Sequence, residues 1–154
     1  MSKSLARVTE VLRLAGHPAV PLEMPGDTRT AVQAAAAAGC ELDQIVKSIL
    51  FQGVSGRLYL FLTAGGNQVD AARASALAGE PLGRADAAAV RAVTGFAIGG
   101  VAPIGHRTAL PVWMDRRLIE FDQVWAAAGT PRHIFASNPA DLQRMAGAVL
   151  ADFI

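Results

Sequence analysis

Two apolar runs, Ile45-Val46-Lys47-Ser48-Ile49-Leu50-Phe51 and Leu58-Tyr59-Leu60-Phe61-Leu62, constrain this chain more than any other feature. Both are of strand length and rich in β-branched and aromatic residues. Between them lies the short, glycine-bearing stretch Gly53-Val54-Ser55-Gly56, so the pair predicts a β-hairpin. Helical patterns surround it. Leu5, Val8, Leu12 and Ala15 form one stripe of a helix over 4–15 that Gly16 ends. The alanine run 34–38 reads as the interior of a second helix, with Asp27-Thr28 as capping candidates and Gly39 as its stop. Val20 to Met24 is extended between Pro18 and Pro25. Asp70–Ala78 and Asp86–Val93 predict two short helices that begin on an acidic residue, where the helix dipole favours one. Strands are expected at Pro111–Met114, Phe121–Ala127 and His133–Ala136, and a last helix at Ala140–Ala146 behind Asn138-Pro139. Helices interspersed with hairpins, rather than βαβ repeats, predict an α+β fold in a single domain over 1–154 with a mixed, mostly antiparallel sheet.

Composition narrows the function classes. With 154 residues, 52% of them hydrophobic and 18% charged, the chain can bury a core of its own and is not disordered. Cys40 is the single cysteine, which excludes an internal disulfide. No apolar run is long enough for a membrane span, and the N-terminus lacks a secretion signal, so a cytoplasmic protein is expected. A formal charge of +1 argues against wrapping long duplex DNA.

Familiar catalytic signatures are missing: no phosphate-binding G-x-x-x-x-G-K-[ST], no dinucleotide G-x-G-x-x-G, no H-E-x-x-H, no C-x-x-C pair, no G-x-S-x-G elbow. His17, His106 and His133 are scattered, without metal-ligand spacing, and no metal is expected. Cys40, just past a helix end, reads as a small buried apolar residue.

Two features remain. Lys47 places a cation in the middle of an apolar strand. It is either an edge-strand lysine that carries its charge to water, or a compact ammonium held for a ligand; the chain's only other lysine is Lys3, all other fixed cations being arginine. The second is Gly99-Gly100-Val101-Ala102-Pro103-Ile104-Gly105. It is either a tight crossover or a loop whose exposed amides receive a phosphate or an ester oxyanion. Ser48 should point away from Lys47. His106 and His133 are satisfied or solvent-facing side chains, or substrate contacts. Trp113 and Trp125 fill core or stack a base, and Arg107, Arg116, Arg117 and Arg132 form either a phosphate-contacting rim or a solvated face.

Thr30-Ala31-x-x-Ala34-Ala35, then Gln44-Ile45-Val46-Lys47-Ser48-Ile49-Leu50-Phe51, then Thr94-Gly95-Phe96-Ala97-Ile98-Gly99-Gly100-Val101-Ala102-Pro103-Ile104-Gly105, in this order and spacing, resemble the YbaK/ProX family of aminoacyl-tRNA deacylases. These are free-standing relatives of the editing domain of bacterial prolyl-tRNA synthetases. Asp141-Leu142 and the closing Val149-Leu150-Ala151-Asp152 also fit. The resemblance implies a curved, barrel-like mixed sheet flanked by helices. It implies hydrolysis of the ester that joins a wrong amino acid to the 3′ end of tRNA, without metal or organic cofactor. The expected partners are the tRNA acceptor end and an aminoacyl-tRNA synthetase, with no membrane or DNA. By position, Lys47 matches the family's essential lysine and Gly99-Gly100 the backbone element that positions ester and water. Thr30, Ser48, Pro103, Gly105, His106 and His133 are the candidate substrate contacts. The acidic residue and serine that some relatives carry near the last hairpin are absent from 126–135, which implies a subgroup other than the cysteinyl-tRNA-proline deacylases. Editing of a small amino acid such as alanine is the expectation. The alternative is a non-catalytic module that binds an aminoacyl ester, nucleotide or partner protein in the same pocket.

Overall fold

The computed structural model of the chain describes residues 2–154. Helices α1 (Lys3–Leu14), α2 (Ala31–Ala38), α3 (Ala71–Ala78), α4 (Ala87–Thr94) and α5 (Pro139–Ala146) flank one sheet of eight strands. The strands are β1 (Leu22–Glu23), β2 (Ile45–Gly53), β3 (Leu58–Ala64), β4 (Leu82–Arg84), β5 (Val112–Asp115), β6 (Val124–Ala127), β7 (His133–Ser137) and β8 (Val149–Ala151). Their order is β1-β7-β6-β2-β3-β5-β8, with β4 added to β2.

The hairpin read from the sequence is the centre of this sheet. β2 and β3 pair antiparallel from Val46 opposite Ala64 to Gln52 opposite Leu58. All of β3 is buried, which explains why its sequence is apolar without alternation. Leu58, Leu60, Leu62 and Ala64 enter the main core with Val8 and Leu12 of α1, Val90 of α4 and Leu142 of α5. Tyr59 and Phe61 face the other way, into an aromatic cluster with Phe51, Trp113 and Phe153 beneath Ala74 of α3. Trp113 stacks on Phe61 at 5.1 Å between centroids, so it is a core residue.

Four pairings are antiparallel (β1–β7, β2–β3, β2–β4, β6–β7) and three parallel (β2–β6, β3–β5, β5–β8). The sheet is mixed as expected. It does not close into a barrel: its terminal strands, β1 and β8, are two and three residues long and, among the described residues, pair on one side only.

Several local expectations are corrected. The cap of α2 is Thr30, not Asp27-Thr28: its hydroxyl accepts from the Gln33 amide, and the Gln33 side chain accepts from the Thr30 amide. The strand expected from Phe121 begins at Val124, because Arg116–Glu120 wind as a 3-10 helix capped by Asp115. Strands β4 and β8 were not anticipated. Among the described residues no helix is long and apolar enough to cross a membrane.

Candidate active site

β2 is flanked on one edge by β3 along its length, but on the other edge by two different strands. β6 pairs in parallel with Ile45 and Val46, and β4 pairs antiparallel with Phe51 to Gly53. Between them, among the described residues, Lys47–Leu50 have no strand neighbour on this edge. The uncovered stretch is about 13 Å long at about 3.3 Å per residue. It borders a cavity of about 540 Å³, within the usual range for small-molecule sites. Thr30, Ala31 and Ala34 of α2 and its cap wall one side, and Trp125, Ala126 and Ala127 of β6 another. Ile98 and Gly99 of the glycine loop complete it, with Arg29 and Arg84 at its border.

The backbone polarity of this edge follows from the ladder. In an antiparallel pair, alternate residues turn both their N–H and their C=O to the same neighbour. Gly53 donates its amide to Arg57 O across the hairpin, whereas Val54 donates to Pro81 O on the β4 side. Odd-numbered residues of β2 therefore address β3 and even-numbered ones the opposite edge. That sends the amides and carbonyls of Ser48 and Leu50 to this edge; Leu50 adjoins the Phe51–Arg84 pair of β4, and Ser48 is the one clear of both neighbouring strands. The Ser48 hydroxyl is buried without a hydrogen-bond partner.

Lys47 sits on the other face of the strand and lines the same cavity. Its ammonium donates to the carbonyl of Asn67, in the turn that follows β3. Two carboxylates hold that turn. Asp115, only 4% exposed, accepts from the Ala64 amide at 3.0 Å, from Asn67 Nδ2 at 2.9 Å and from the Arg117 amide at 2.9 Å. Asp43 accepts from the Gly66 amide at 2.8 Å and from Arg117 Nε at 3.0 Å. Burial pushes the Lys47 pKa below its ordinary value, opposed by the negative charges of Asp115 and Asp43. The Lys47 side chain thus lines the cavity half-buried, with its ammonium held on the Asn67 turn rather than lying free in solvent.

The sequence-derived residues divide into two groups. Lys47, Ser48, Thr30 and Gly99 meet at the cavity. Gly100, Pro103, Gly105, His106 and His133 lie elsewhere. Gly100 donates its amide to Ala97 O at 3.0 Å in a turn and packs against Thr130. Pro103 is buried, and Gly105, at φ +81°, passes Phe96 and the Arg7 backbone. His106 Nε2 lies 2.7 Å from Ala102 O, and His133 Nδ1 lies 2.6 Å from Thr130 Oγ1. The loop is bound to the core through Phe96, Val101, Ala102 and Ile104. Arg7 reinforces it by donating to Gly95 O at 2.8 Å and covering the Phe96 ring.

The arginines are arranged differently from the pair that stood out in the sequence. Arg116 pairs with Asp152 at 3.0 Å, and Arg117 with Asp43 at 3.0 Å and Glu120 at 3.4 Å. The two that border the cavity, Arg29 and Arg84, carried no sequence signal beyond their charge. Cys40 follows Gly39, the residue that ends α2, and packs with Ala34, Ala35 and Ile45, where burial raises its thiol pKa. Among the described residues no group of three His, Cys, Asp or Glu side chains could hold a metal ion.

This arrangement offers a ligand a largely apolar cavity lined by Lys47 and two arginines, with backbone amide and carbonyl groups free on the strand edge. A solved structure described as that of a candidate trans-editing enzyme for prolyl-tRNA synthetase is 46% identical, with TM-score 0.91, over 99% of this chain and 98% of that one. A second, from a study that grafted epitope backbones onto scaffold proteins, is 44% identical with TM-score 0.91, over 99% of this chain and 97% of the other. The uncharacterized protein YwhH of Bacillus subtilis (strain 168) is 29% identical over 120 residues, 78% of this chain and 76% of its own. The model of the aminoacyl-tRNA editing domain matches residues 25–145, which include α2, the β2 edge, the Asn67 turn and the glycine loop. The chain belongs to the aminoacyl-tRNA editing domain family.

Proposed function

We propose that this protein is a trans-editing hydrolase that cleaves the ester between a small, wrongly attached amino acid, alanine foremost, and the 3′ end of tRNA. The observation that carries this reading is the joint placement of Lys47, Ser48, Thr30 and Gly99 around one cavity on the uncovered edge of β2. Lys47 serves as a fixed positive charge for the terminal nucleotide or the ester. Its anchoring to the Asn67 carbonyl suits a group that orients and polarises rather than one that becomes covalently attached. Gly99 adds backbone dipoles to the lining, and water is the nucleophile, assisted by the terminal ribose hydroxyl. Selection for a small acyl group falls to the bulkier side chains of the lining, Ile45, Ile49, Ile98, Trp125 and Ile134, since one methylene too many is worth about 1–3 kcal/mol in discrimination.

The test is hydrolysis of a panel of alanyl-, seryl-, cysteinyl- and prolyl-esters on the same acceptor. Release of alanine well above the uncatalysed rate, with prolyl ester spared, is the expected result. Retention of the ester without turnover would make the protein a binding module and overturn the assignment.

A further inference from the structure

The uncovered edge of β2 has the polarity of a strand awaiting a partner, and what can fill it is limited by its length. Of the two residues that address this edge, Leu50 adjoins the Phe51–Arg84 pair of β4, and Ser48 alone is clear of both β4 and β6, offering one N–H and one C=O. A single residue exchanges both hydrogen bonds with a single partner only in antiparallel register; in a parallel ladder its two bonds go to two different residues. An α-aminoacyl ester has the same two groups as a strand residue, a donor nitrogen and an acceptor carbonyl on either side of one α-carbon.

We infer that the substrate's aminoacyl group binds as a one-residue antiparallel strand opposite Ser48, its ammonium donating to the Ser48 carbonyl and its ester carbonyl accepting the Ser48 amide. The inference rests on the function proposed above and specifies which part of the substrate is read by backbone. Strand addition to an open sheet edge is a general recognition mode that derives affinity from main-chain bonds. Two further observations fit. The buried, unpartnered Ser48 hydroxyl lies on the same residue. The antiparallel direction also carries the ester oxygen, and the ribose behind it, toward the Lys47 end of the edge. The acyl side chain is then sorted by the apolar walls, while recognition of the α-amino group is independent of which amino acid is attached.

The experiment uses the whole protein and stable amides of 3′-amino-3′-deoxyadenosine carrying alanyl, N-acetylalanyl or propionyl groups. Dissociation constants are measured at pH 7. Propionyl removes the nitrogen without adding bulk; acetylation removes the charge and two of its protons. Loss of one charged hydrogen bond predicts that both bind about 10- to 100-fold more weakly than the alanyl compound. Equal affinity of the alanyl and propionyl compounds overturns the inference, as does failure of the alanyl compound to bind. Because no turnover is needed, an inactive ester panel would remove the hydrolase assignment while this affinity ratio still reports on the edge.

Discussion

At Lys47 the cost of burying an ammonium is offset by the turn it touches. Desolvation lowers its pKa, whereas Asp115 and Asp43, the charged groups facing it, raise it. Since the proposed role needs the protonated form, activity should fall as pH rises through this lowered pKa, once uncatalysed hydrolysis is subtracted. Asp115→Asn removes one supporting charge and should move that fall to lower pH. A profile unchanged by the substitution would show that Asp115 only holds the turn. His106 gives a second pH dependence, on stability. Burial, and then the nearby Arg7 charge, lower its pKa against the opposing bond to Ala102. The unfolded chain therefore takes up this proton first as pH falls below about 6.5, and stability declines from there downward. His106→Gln should flatten that decline in urea unfolding between about pH 6.5 and 5. At this scale Lys47 was legible, because a cation inside an apolar strand is conspicuous in any sequence. The Ser48 amide was not: its importance comes from a gap between two strands distant in sequence, and a serine looks the same whether its backbone is paired or free.

Among the elements, α2 matters most to the cavity and is held at its start by the reciprocal Thr30–Gln33 cap. Thr30→Ala should cost about 1 kcal/mol in unfolding free energy. The loss should also weaken binding of the alanyl amide, since Thr30, Ala31 and Ala34 wall the site. The turn after β3 is tighter still. A Cβ on Gly65 would lie 2.1 Å from the Leu42 carbonyl oxygen, so Gly65→Ala must displace backbone. A destabilisation of at least about 1–3 kcal/mol is expected, together with reduced activity because Lys47 leans on this turn. Elements with strong local chemistry were readable: the hairpin, and α3 and α4 behind Asp70 and Asp86. The start of α2 was misplaced because Asp27, Thr28 and Thr30 are all good caps, and only the glutamine three residues after Thr30 separates them. Strands β4 and β8, three residues each, have no periodicity to read; partners far along the chain create them.

For the whole molecule, net charge and sheet topology set how a large polyanion is held. The chain carries +1 overall, Arg116 and Arg117 are engaged with carboxylates away from the cavity, and the cations at the cavity are Arg84, Lys47 and Arg29, the last beside Asp27 at 3.5 Å. Three phosphate contacts on a single strand predict a slope of about −2 for log affinity against log salt, far from the about −10 of a protein that tracks duplex DNA. The order of elements along the chain was sufficient for the α+β class and the mixed sheet. The parallel pairings of β3 with β5 and of β5 with β8 were not, since the first joins segments separated by two helices and the glycine loop, and the second segments separated by β6, β7 and α5. The uncovered edge is a product of this scale. β6 and β4 approach β2 from opposite ends and stop short of each other, and the site is the space they leave. The most direct measurement is the single-turnover rate of alanyl-ester hydrolysis on a tRNA acceptor by the wild type and Lys47→Ala, alongside their thermal unfolding. A rate lowered at least 100-fold with an unfolding transition of similar midpoint and cooperativity is the result predicted here. A folded Lys47→Ala that deacylates at the wild-type rate would contradict it.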